Sequence, residues 1–441
     1  MTAPAAPKTF DLTPEQQDAF DRIFLSAHPA ITHSIVSLCG YAGTGKTTLI
    51  GVLCRQLQGC GIPTLLCAPT HKALRQLESS VNAGATSATL ASLLSKKKKR
   101  DMKGGWDFVS SEPPESIRLR YSFLKDGVLI IDEASMISED DADLVVSIFG
   151  SYCRAIVFAG DARQLPPVEE TQTPLMNVEE EAADVSVRLE TVVRHGGGIL
   201  ELATALRNVP HGLVPFGRFA SSDVQLYEDE TQWLSCWLEN DCPDAKALAF
   251  TNKRVAELNR EMLMDIYGHE EGGELVYHIG QRLLTQEGVS NEDSSGLLFP
   301  STTEIEILEL EDTAALVGEQ GDVSIPIVRM EVRAPETGAV GVLDVVAVVG
   351  LPAYEAELRR LKTVAIQNRA GWREYYAFAE RFTNVQPAYA LTVHKSQGST
   401  YTDVFLDIRD IQSNSRRDMK MMNRLAYVGV SRAQRGLHIL M

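Results

Sequence analysis

Short runs of consecutive apolar residues alternate along this chain with longer stretches in which apolar positions recur every three or four residues. Ile35 to Cys39, Thr64 to Ala68, Val128 to Ile131 and Arg154 to Ala159 are of the first kind, and each runs into a polar or glycine-rich loop. Mostly apolar runs of this length predict strands covered on both faces, and the helical periodicity between them predicts crossover helices. The order strand, helix, strand, helix predicts an α/β fold with a parallel sheet. Four strands then end in polar loops at one sheet edge, where ligands bind in open α/β sheets. Ahead of them a helix opens with Thr13 as N-cap, Pro14 in the first turn and Gln16 three residues after the cap. That is a capping box, a local structural role for Gln16.

The pattern is interrupted between residues 84 and 115 by Ser/Thr, a basic run, Gly104-Gly105 and Pro113-Pro114, read as an inserted hairpin or loop. It resumes at 116–187. A second α/β block begins at residue 188, with Leu189 to Arg194, a helix from Gly198 to about Arg207 and a strand from Ala245 to Phe250. Residues 270–350 change period to alternation rich in β-branched residues, which predicts a small β domain. A helical stretch with aromatics covers 351–383, and residues 384–441 return to the second α/β block. The expected organisation is therefore a flexible leader (1–10), a first block (11–83 and 116–187) carrying the 84–115 insert, and a second block (188–269 and 384–441) carrying the β domain.

Composition narrows the class. A chain of 441 residues with 44% hydrophobic and 23% charged residues is a globular protein of two to four domains. No apolar run approaches the ~20 residues that cross a bilayer, and the N-terminus has neither the basic nor the apolar region of a secretory signal. Seven scattered cysteines without a C-x-x-C pair argue against a disulfide framework or a zinc ribbon. The expected location is the cytoplasm, of a bacterial or phage-infected cell. With 42 Lys+Arg against 59 Asp+Glu, the net charge of −17 opposes broad affinity for nucleic acid, so a polyanion must meet a local channel.

The chemistry centres on Gly40-Tyr41-Ala42-Gly43-Thr44-Gly45-Lys46-Thr47, which fits G-x-x-x-x-G-K-[ST] between a strand and a helix. Glycines let backbone N–H groups close around phosphate, the helix N-terminus adds positive potential, Lys46 neutralises the β/γ-phosphates and Thr47 can ligate Mg²⁺. This predicts nucleoside triphosphate binding. Asp132-Glu133 ends an apolar strand: Asp132 can hold Mg²⁺ and Glu133 can deprotonate the attacking water. Gln164, in a loop tethered by Pro166 and Pro167, can bond a γ-phosphate or its water, or be an ordinary loop residue. Arg194 and Arg432 are candidates for a cationic clamp, and on pattern alone each is as easily a surface arginine.

These elements, with Ala68-Pro69-Thr70-His71, Gly160-Asp161 through Val168, Leu189 to Arg194, Ala249 to Asn252, Ala390 to Thr400 and Tyr427 to Ala433, resemble in order the motor motifs of superfamily 1 helicases. Nearly the whole chain is spanned. Length and inserts look most like the RecD-like branch, particularly its Dda-type members from T-even phages. The resemblance implies two RecA-like P-loop motor domains with ATP in the cleft between them, single-stranded DNA moved 5′ to 3′, a hairpin insert in the first domain and an SH3-like β domain in the second. It implies that Gln16 reads adenine and that Gly43, Thr44, Gly45, Lys46, Thr47, Thr48, Asp132 and Gly398 surround nucleotide and Mg²⁺. Glu133 would be the general base, Gln164 the γ-phosphate sensor, and Arg194 and Arg432 arginine fingers. Pro69, Thr70, His71, Thr89, Thr251, Asn252, Thr392 and His394 match DNA-touching positions.

Where the family usually has His two residues after Thr89, this chain has Ala91, which puts that contact in doubt. The insert is read as a strand-separating pin, Trp106 or Phe108 stacking on the last base pair and Lys96 to Arg100 gripping phosphates. A solvated loop with an aromatic folded on the core is the other reading. The aromatics Trp372, Tyr375, Tyr376 and Phe378 in the segment resembling the family's pin buttress read as helix core. The implied partners are single-stranded, forked or tailed duplex DNA and single-strand-binding or other replication proteins, with no membrane and a monomeric motor. An RNA or RNA–DNA remodeller and a non-translocating DNA clamp stay open as alternatives. Replacing Trp106 and Phe108 with Ala is expected to cut unwinding while sparing DNA-stimulated ATPase; intact unwinding would remove the pin.

Overall fold

The computed structural model describes residues 12–28, 31, 33–81, 85–100, 106–166, 183–193, 197–209, 211–240, 242, 244–268, 277–290, 297–317, 323–368 and 370–441, with backbone alone for 98–100 and 106–108. The chain forms two compact units, Met1–Thr251 with Ser396–Met441, and Asn252–Lys395.

In the first unit, β1 (Ser34–Gly40), β2 (Thr64–Ala68), β3 (Thr86–Thr89), β6 (Val128–Ile131), β7 (Ala155–Gly160) and β8 (Val185–Leu189) make a sheet of order β3-β2-β6-β7-β1-β8. Every neighbouring pair is parallel. Alternate residues of the inner strands β1, β2, β6 and β7 enter opposite cores, which is why those runs are nearly continuous. Leu66, Val128, Ile130 and Val157 meet helices α1 (Pro14–Ser26), α2 (Lys46–Gly59) and α3 (His71–Val81) through Ile23, Leu53 and Leu77. Leu65, Cys67, Leu129, Ile131 and Phe158 face Leu93, Ile117, Val145 and Phe149 on the other side. The capping box that opens α1 is present, Thr13 and Gln16 each accepting from the other's backbone N–H.

A second parallel sheet in the same unit orders strands Ala245–Ala249, Tyr401–Asp407, Ala433–Leu440 and Val224–Tyr227. Trp233 and Trp237 are fully buried against Phe405, Trp233 edge-on at 6.0 Å between ring centroids. Helices Gly197–Asn208 and Met419–Ser431 are joined by Asn423, whose Nδ2 donates to Leu206 O at 2.8 Å.

The second unit is built on a five-stranded antiparallel sheet of order Val340–Val346, Val323–Arg333, Glu304–Val317, Arg282–Thr285, Val385–Pro387. One face buries Leu283, Ile305, Met330, Val332 and Leu343. The far end of its longest hairpin buries Val317 and Ile325 against Leu361, Phe378 and Phe382, contributed by helices Leu351–Gln367 and Gly371–Ala379 and the turn that follows. Trp372, Tyr375 and Tyr376 pack on one another.

Two boundaries differ from those read in the sequence. The strand ending at Leu189 pairs with β1, so the first sheet extends past residue 187 and Leu189 does not open the second block. Thr86–Thr89 pairs with β2 and belongs to the main sheet, which shortens the 84–115 insert. The unit Asn252–Lys395 contains the β domain and the helical stretch read at 270–350 and 351–383; within it the Asn259 side chain bonds Tyr389 N, Ala390 N and Ala390 O, tying helix Asn252–Tyr267 to strand Ala390–Thr392.

Within the insert, β4 (Lys96–Arg100) and β5 (Trp106–Ser110) pair antiparallel, Lys98 opposite Phe108 and Arg100 opposite Trp106. Their base is anchored: Lys96 forms an ion pair with Asp141, and Arg120 donates to Ser95 Oγ at 2.8 Å. The Lys96 charge is thus already engaged within the protein, and the side chains of Lys98 to Arg100 lie outside the described residues. The Trp106 and Phe108 side chains lie outside the described residues. Among described residues no helix is long and apolar enough to cross a membrane, and all seven cysteines are free.

Helix packing supplies a test in which two effects oppose. At Gly51, inside α2, alanine would gain about 1 kcal/mol in helix propensity, but its Cβ would lie 2.8 Å from the Ser80 carbonyl oxygen, a backbone atom that cannot swing away. Overpacking costs about 1–3 kcal/mol. Gly51→Ala is therefore expected to lower the denaturant midpoint of the first unit's unfolding; a higher midpoint would show that α3 yields.

Candidate nucleotide site

Gly40 leaves the C-terminal end of β1, and the segment after β8 closes beside it: Tyr41 N donates to Leu189 O at 3.2 Å and Val193 N to Gly43 O at 2.9 Å. Gly43 and Gly45 have φ of 82° and 78°, a left-handed conformation that side chains disfavour. Gly45 is the N-cap of α2 and supplies no side-chain bond, so the first N–H groups of the helix remain for a ligand. Gln16 braces this loop from α1. Its Nε2 donates to Thr44 O at 2.9 Å while its Oε1 accepts from Thr13 N at 3.0 Å, so both polar ends of the amide predicted to read adenine are engaged within the protein.

A cavity of about 240 Å³ opens over the loop, lined by Gly43, Gly45, Lys46, Thr47 and Thr48 and, facing them, by Asp132, Glu133, Gln164, Gly398 and Arg432. Thr44 is buried and turns its hydroxyl to Tyr41 O. Lys46 Nζ donates to Gly40 O at 2.9 Å and Tyr41 O at 3.0 Å. Burial lowers its pKa, against the pull of Asp161, Glu133 and Asp132. Thr47 Oγ1 donates to Asp132 Oδ2 at 3.2 Å. Burial, and then the charge of Glu133, push the Asp132 carboxyl up to about 6, against the Glu133 N–H, Lys46 and Thr47.

Glu133 itself sits at φ 52°, a left-handed conformation that costs a non-glycine residue about 1–3 kcal/mol. Its Oε2 and the Oε1 of Gln164 are buried with no hydrogen-bond partner among the described residues. Two acceptors lining one cavity without a described partner fit donors such as water or a metal-bound water. Arg432 is only 2% exposed and donates to Val428 O, Ser399 O and Ser431 Oγ, so it is not a surface arginine. Arg194 lies outside the described residues, although Val193 before it lines the cavity. Among described residues no three His, Cys, Asp or Glu side chains gather as a metal site. Thr47 and Asp132 fit a Mg²⁺ ion whose other ligands are phosphate and water.

The sequence model of the AAA domain family matches residues 11–231, and that of the UvrD-like helicase C-terminal domain matches 387–440. The chain belongs to the AAA domain family, as a superfamily 1 helicase. The "ATP-dependent DNA helicase dda" of Enterobacteria phage T4 is 26% identical over 455 residues, 96% of this chain and 98% of that protein. The uncharacterized protein R530 of Acanthamoeba polyphaga mimivirus is 22% identical over 479 residues, covering 92% and 95%. Among solved structures, the Pif1 helicase of Candida albicans shares the fold, with a TM-score of 0.53 at 18% identity over 98% of this chain and 94% of that one.

The helicase's predicted DNA-touching residues fall in both units. In the first, Pro69 and Thr70 follow β2 at the sheet edge, where Thr70 Oγ1 accepts from Ala73 N at 3.2 Å, and His71 begins α3 with its pKa lowered by burial. The Thr89 hydroxyl accepts from Ser92 N at 3.3 Å as a helix cap, and Thr251 is held by Asp410 through both its N–H and its hydroxyl. In the second unit, Asn252 is exposed, Thr392 accepts from Lys395 N at 3.2 Å, and burial lowers the pKa of His394.

Four helicase residues near the loop were not singled out from sequence: Tyr41, Asp161, Arg207 and Tyr427. Tyr41, Asp161 and Tyr427 sit inside quoted motifs, but Arg207 is the last-turn basic residue of a helix and reads as a dipole partner.

The Asp132 carboxyl yields a sign-definite expectation. Because its folded pKa, about 6, is above its ordinary 3.8, the folded chain binds more protons than the unfolded chain between those values. Stability in the metal-free state therefore falls as pH rises through that window and stays lower above it. Asp132→Asn is expected to gain about 3 kcal/mol at pH 8, to gain little near pH 4, and to lose ATP hydrolysis. Thermal melts at the two pH values check this, and equal melting temperatures at pH 8 would refute it.

Proposed function

We propose that this ATP-dependent DNA helicase translocates 5′ to 3′ on single-stranded DNA, hydrolysing ATP between two RecA-like motor domains. One observation carries the reading. The cavity is lined from the first parallel sheet by the phosphate loop, Asp132, Glu133 and Gln164, and from the second by Gly398 and Arg432, which stand just before strands Tyr401–Asp407 and Ala433–Leu440. A site assembled from the loops of two sheets senses whether those sheets are closed on the nucleotide, as a motor requires.

The α2 N-terminus and Lys46 bind the β/γ-phosphates once Lys46 exchanges the Gly40 and Tyr41 carbonyls for phosphate oxygens. Thr47 and Asp132 would hold Mg²⁺, which when bound neutralises phosphate charge. Glu133 Oε2 accepts the proton of the attacking water, and Gln164 Oε1 orients that water. Arg432, released from Ser399 O and Val428 O, and Arg194 stabilise the charge of the transferring phosphoryl group.

Single-stranded DNA runs over Pro69, Thr70, His71, Thr89, Thr251, Asn252, Thr392 and His394. The antiparallel sheet of the second unit serves as the SH3-like module beside the strand, and the β4–β5 pair serves as the pin. The net charge of −17 confines binding to this track and makes affinity salt-dependent.

ATP-dependent unwinding of a short duplex carrying a 5′ or a 3′ single-stranded tail tests the proposal. Unwinding is expected from the 5′ tail alone and is expected to vanish in Lys46→Ala. Unwinding from the 3′ tail would reverse the polarity, and ATPase without unwinding from either tail would favour a clamp.

A further inference from the structure

Behind the phosphate loop, and outside the residues given roles above, lies a charged cluster almost closed to solvent. Asp161, Tyr427 and Arg207 are 0%, 2% and 6% exposed. Arg207 forms an ion pair with Asp161, and its guanidinium carbon lies 3.9 Å from the centroid of the Tyr41 ring. The Tyr427 hydroxyl donates to Asp161 Oδ2 at 2.7 Å and accepts from Ala42 N at 3.1 Å, with Arg207 Nη1 3.4 Å away. The remaining bonds of Asp161 shape the loop that carries Gln164: its Oδ1 accepts from Arg163 N at 3.1 Å and its carbonyl from Gln164 N at 3.0 Å.

Four segments are therefore joined through one carboxylate and its two partners, Arg207 and Tyr427. They are the phosphate loop through Tyr41 and Ala42, the Gln164 loop, helix Gly197–Asn208, and helix Met419–Ser431, whose next residue is Arg432. Stability alone does not account for such a cluster, because apolar residues of similar volume commonly stabilise a fold as well as a buried ion pair does. Specific orientation does account for it. Burial opposes the charge of Asp161, yet Arg207 and Lys46 hold its pKa below the usual carboxylate range, so the acceptor stays ionised and directional.

We propose that Arg207 and Tyr427 are positioning residues for ATP hydrolysis, which through Asp161 fix the phosphate loop and the Gln164 loop in one register with the helix leading to Arg432. This rests on the reading of the cavity as the ATP site. Neither residue lines that cavity. Their effect is on the alignment of Gln164 and Arg432 against the γ-phosphate, and so on turnover more than on nucleotide affinity.

The test uses the full chain with Tyr427→Phe, which removes one hydroxyl, and Arg207→Lys, which keeps the charge but loses the planar contact on Tyr41. Steady-state ATPase with single-stranded DNA is expected to show kcat reduced about tenfold or more, with the KM for ATP within about threefold of the parent. Arg207→Gln, which strands a buried carboxylate, is compared with the Asp161→Asn/Arg207→Gln double variant, in which neither charge remains. The double variant is expected to recover the melting temperature lost in the single variant while kcat stays low. Turnover within about twofold of the parent in both conservative variants overturns the proposal, as does a double variant whose kcat returns together with its melting temperature. Parent and Lys46→Ala run alongside: a parent without ATPase fails the site reading and this inference with it, whereas an active parent with unaffected variants fails the inference alone.

Discussion

The position of β1 between β7 and β8 is the constraint on which the site depends. Parallel register sets Cys39 beside Gly160 and Gly40 beside Leu189, so the loops leaving β7 and β8 must emerge alongside the phosphate loop. β6, on the other side of β7, delivers Asp132 and Glu133 to the same edge. None of these residues is near another in sequence. Hydrogen-bonded register, enforced by cores on both faces, brings them together, and moving one strand by a residue would exchange its two faces.

Within that frame the electrostatics are arranged by burial. Asp132 and Glu133 are adjacent acids at a strand end, and their shared site pushes the Asp132 carboxyl upward. Asp161, equally buried, is held ionised by Arg207 and Lys46. The difference lies in the partners. Asp161 has a guanidinium and a phenol within the protein, whereas Glu133 Oε2 and Gln164 Oε1 have none among the described residues. The satisfied carboxylate organises structure, and the two acceptors without a described partner are those that the proposed mechanism turns to the attacking water. Left-handed Glu133 adds backbone strain at the same point, which the surrounding β6 and its one-turn helix over-determine.

The second unit follows a different logic. Its strands alternate, burying one face on Leu283, Ile305 and Met330 while the other carries cross-strand pairs such as Arg329 with Asp344 and Arg333 with Glu306. An antiparallel sheet with one wet face needs no crossover helices, so its sequence reads with period two where the first unit's strands read as solid apolar runs. The aromatic helix Gly371–Ala379 behaves as helix core at Phe378, while Trp372, Tyr375 and Tyr376 stack among themselves.

Local order in the sequence was enough for the strand–loop–helix of the phosphate site, the capping box at Thr13 and Gln16, the Asp132-Glu133 strand end and the change of period in the second unit. Each of these is set by neighbours within a few residues, through backbone sterics, caps and periodicity. What lay beyond it was partnership at a distance. The sequence placed Leu189 in a second block, and only pairing with β1 returned it to the first sheet. It left Arg432 a candidate surface arginine, and folding buried it. Gln16 matched an adenine-reading position, and packing committed its amide to Thr13 and Thr44. Arg207 carried no signal at all, because its partner Asp161 is 46 residues away and Tyr427 220. A residue type and its immediate spacing determine what chemistry a side chain can do; which charge it neutralises, and whether water reaches it, is decided only when the sheet brings remote segments into contact and excludes solvent between them.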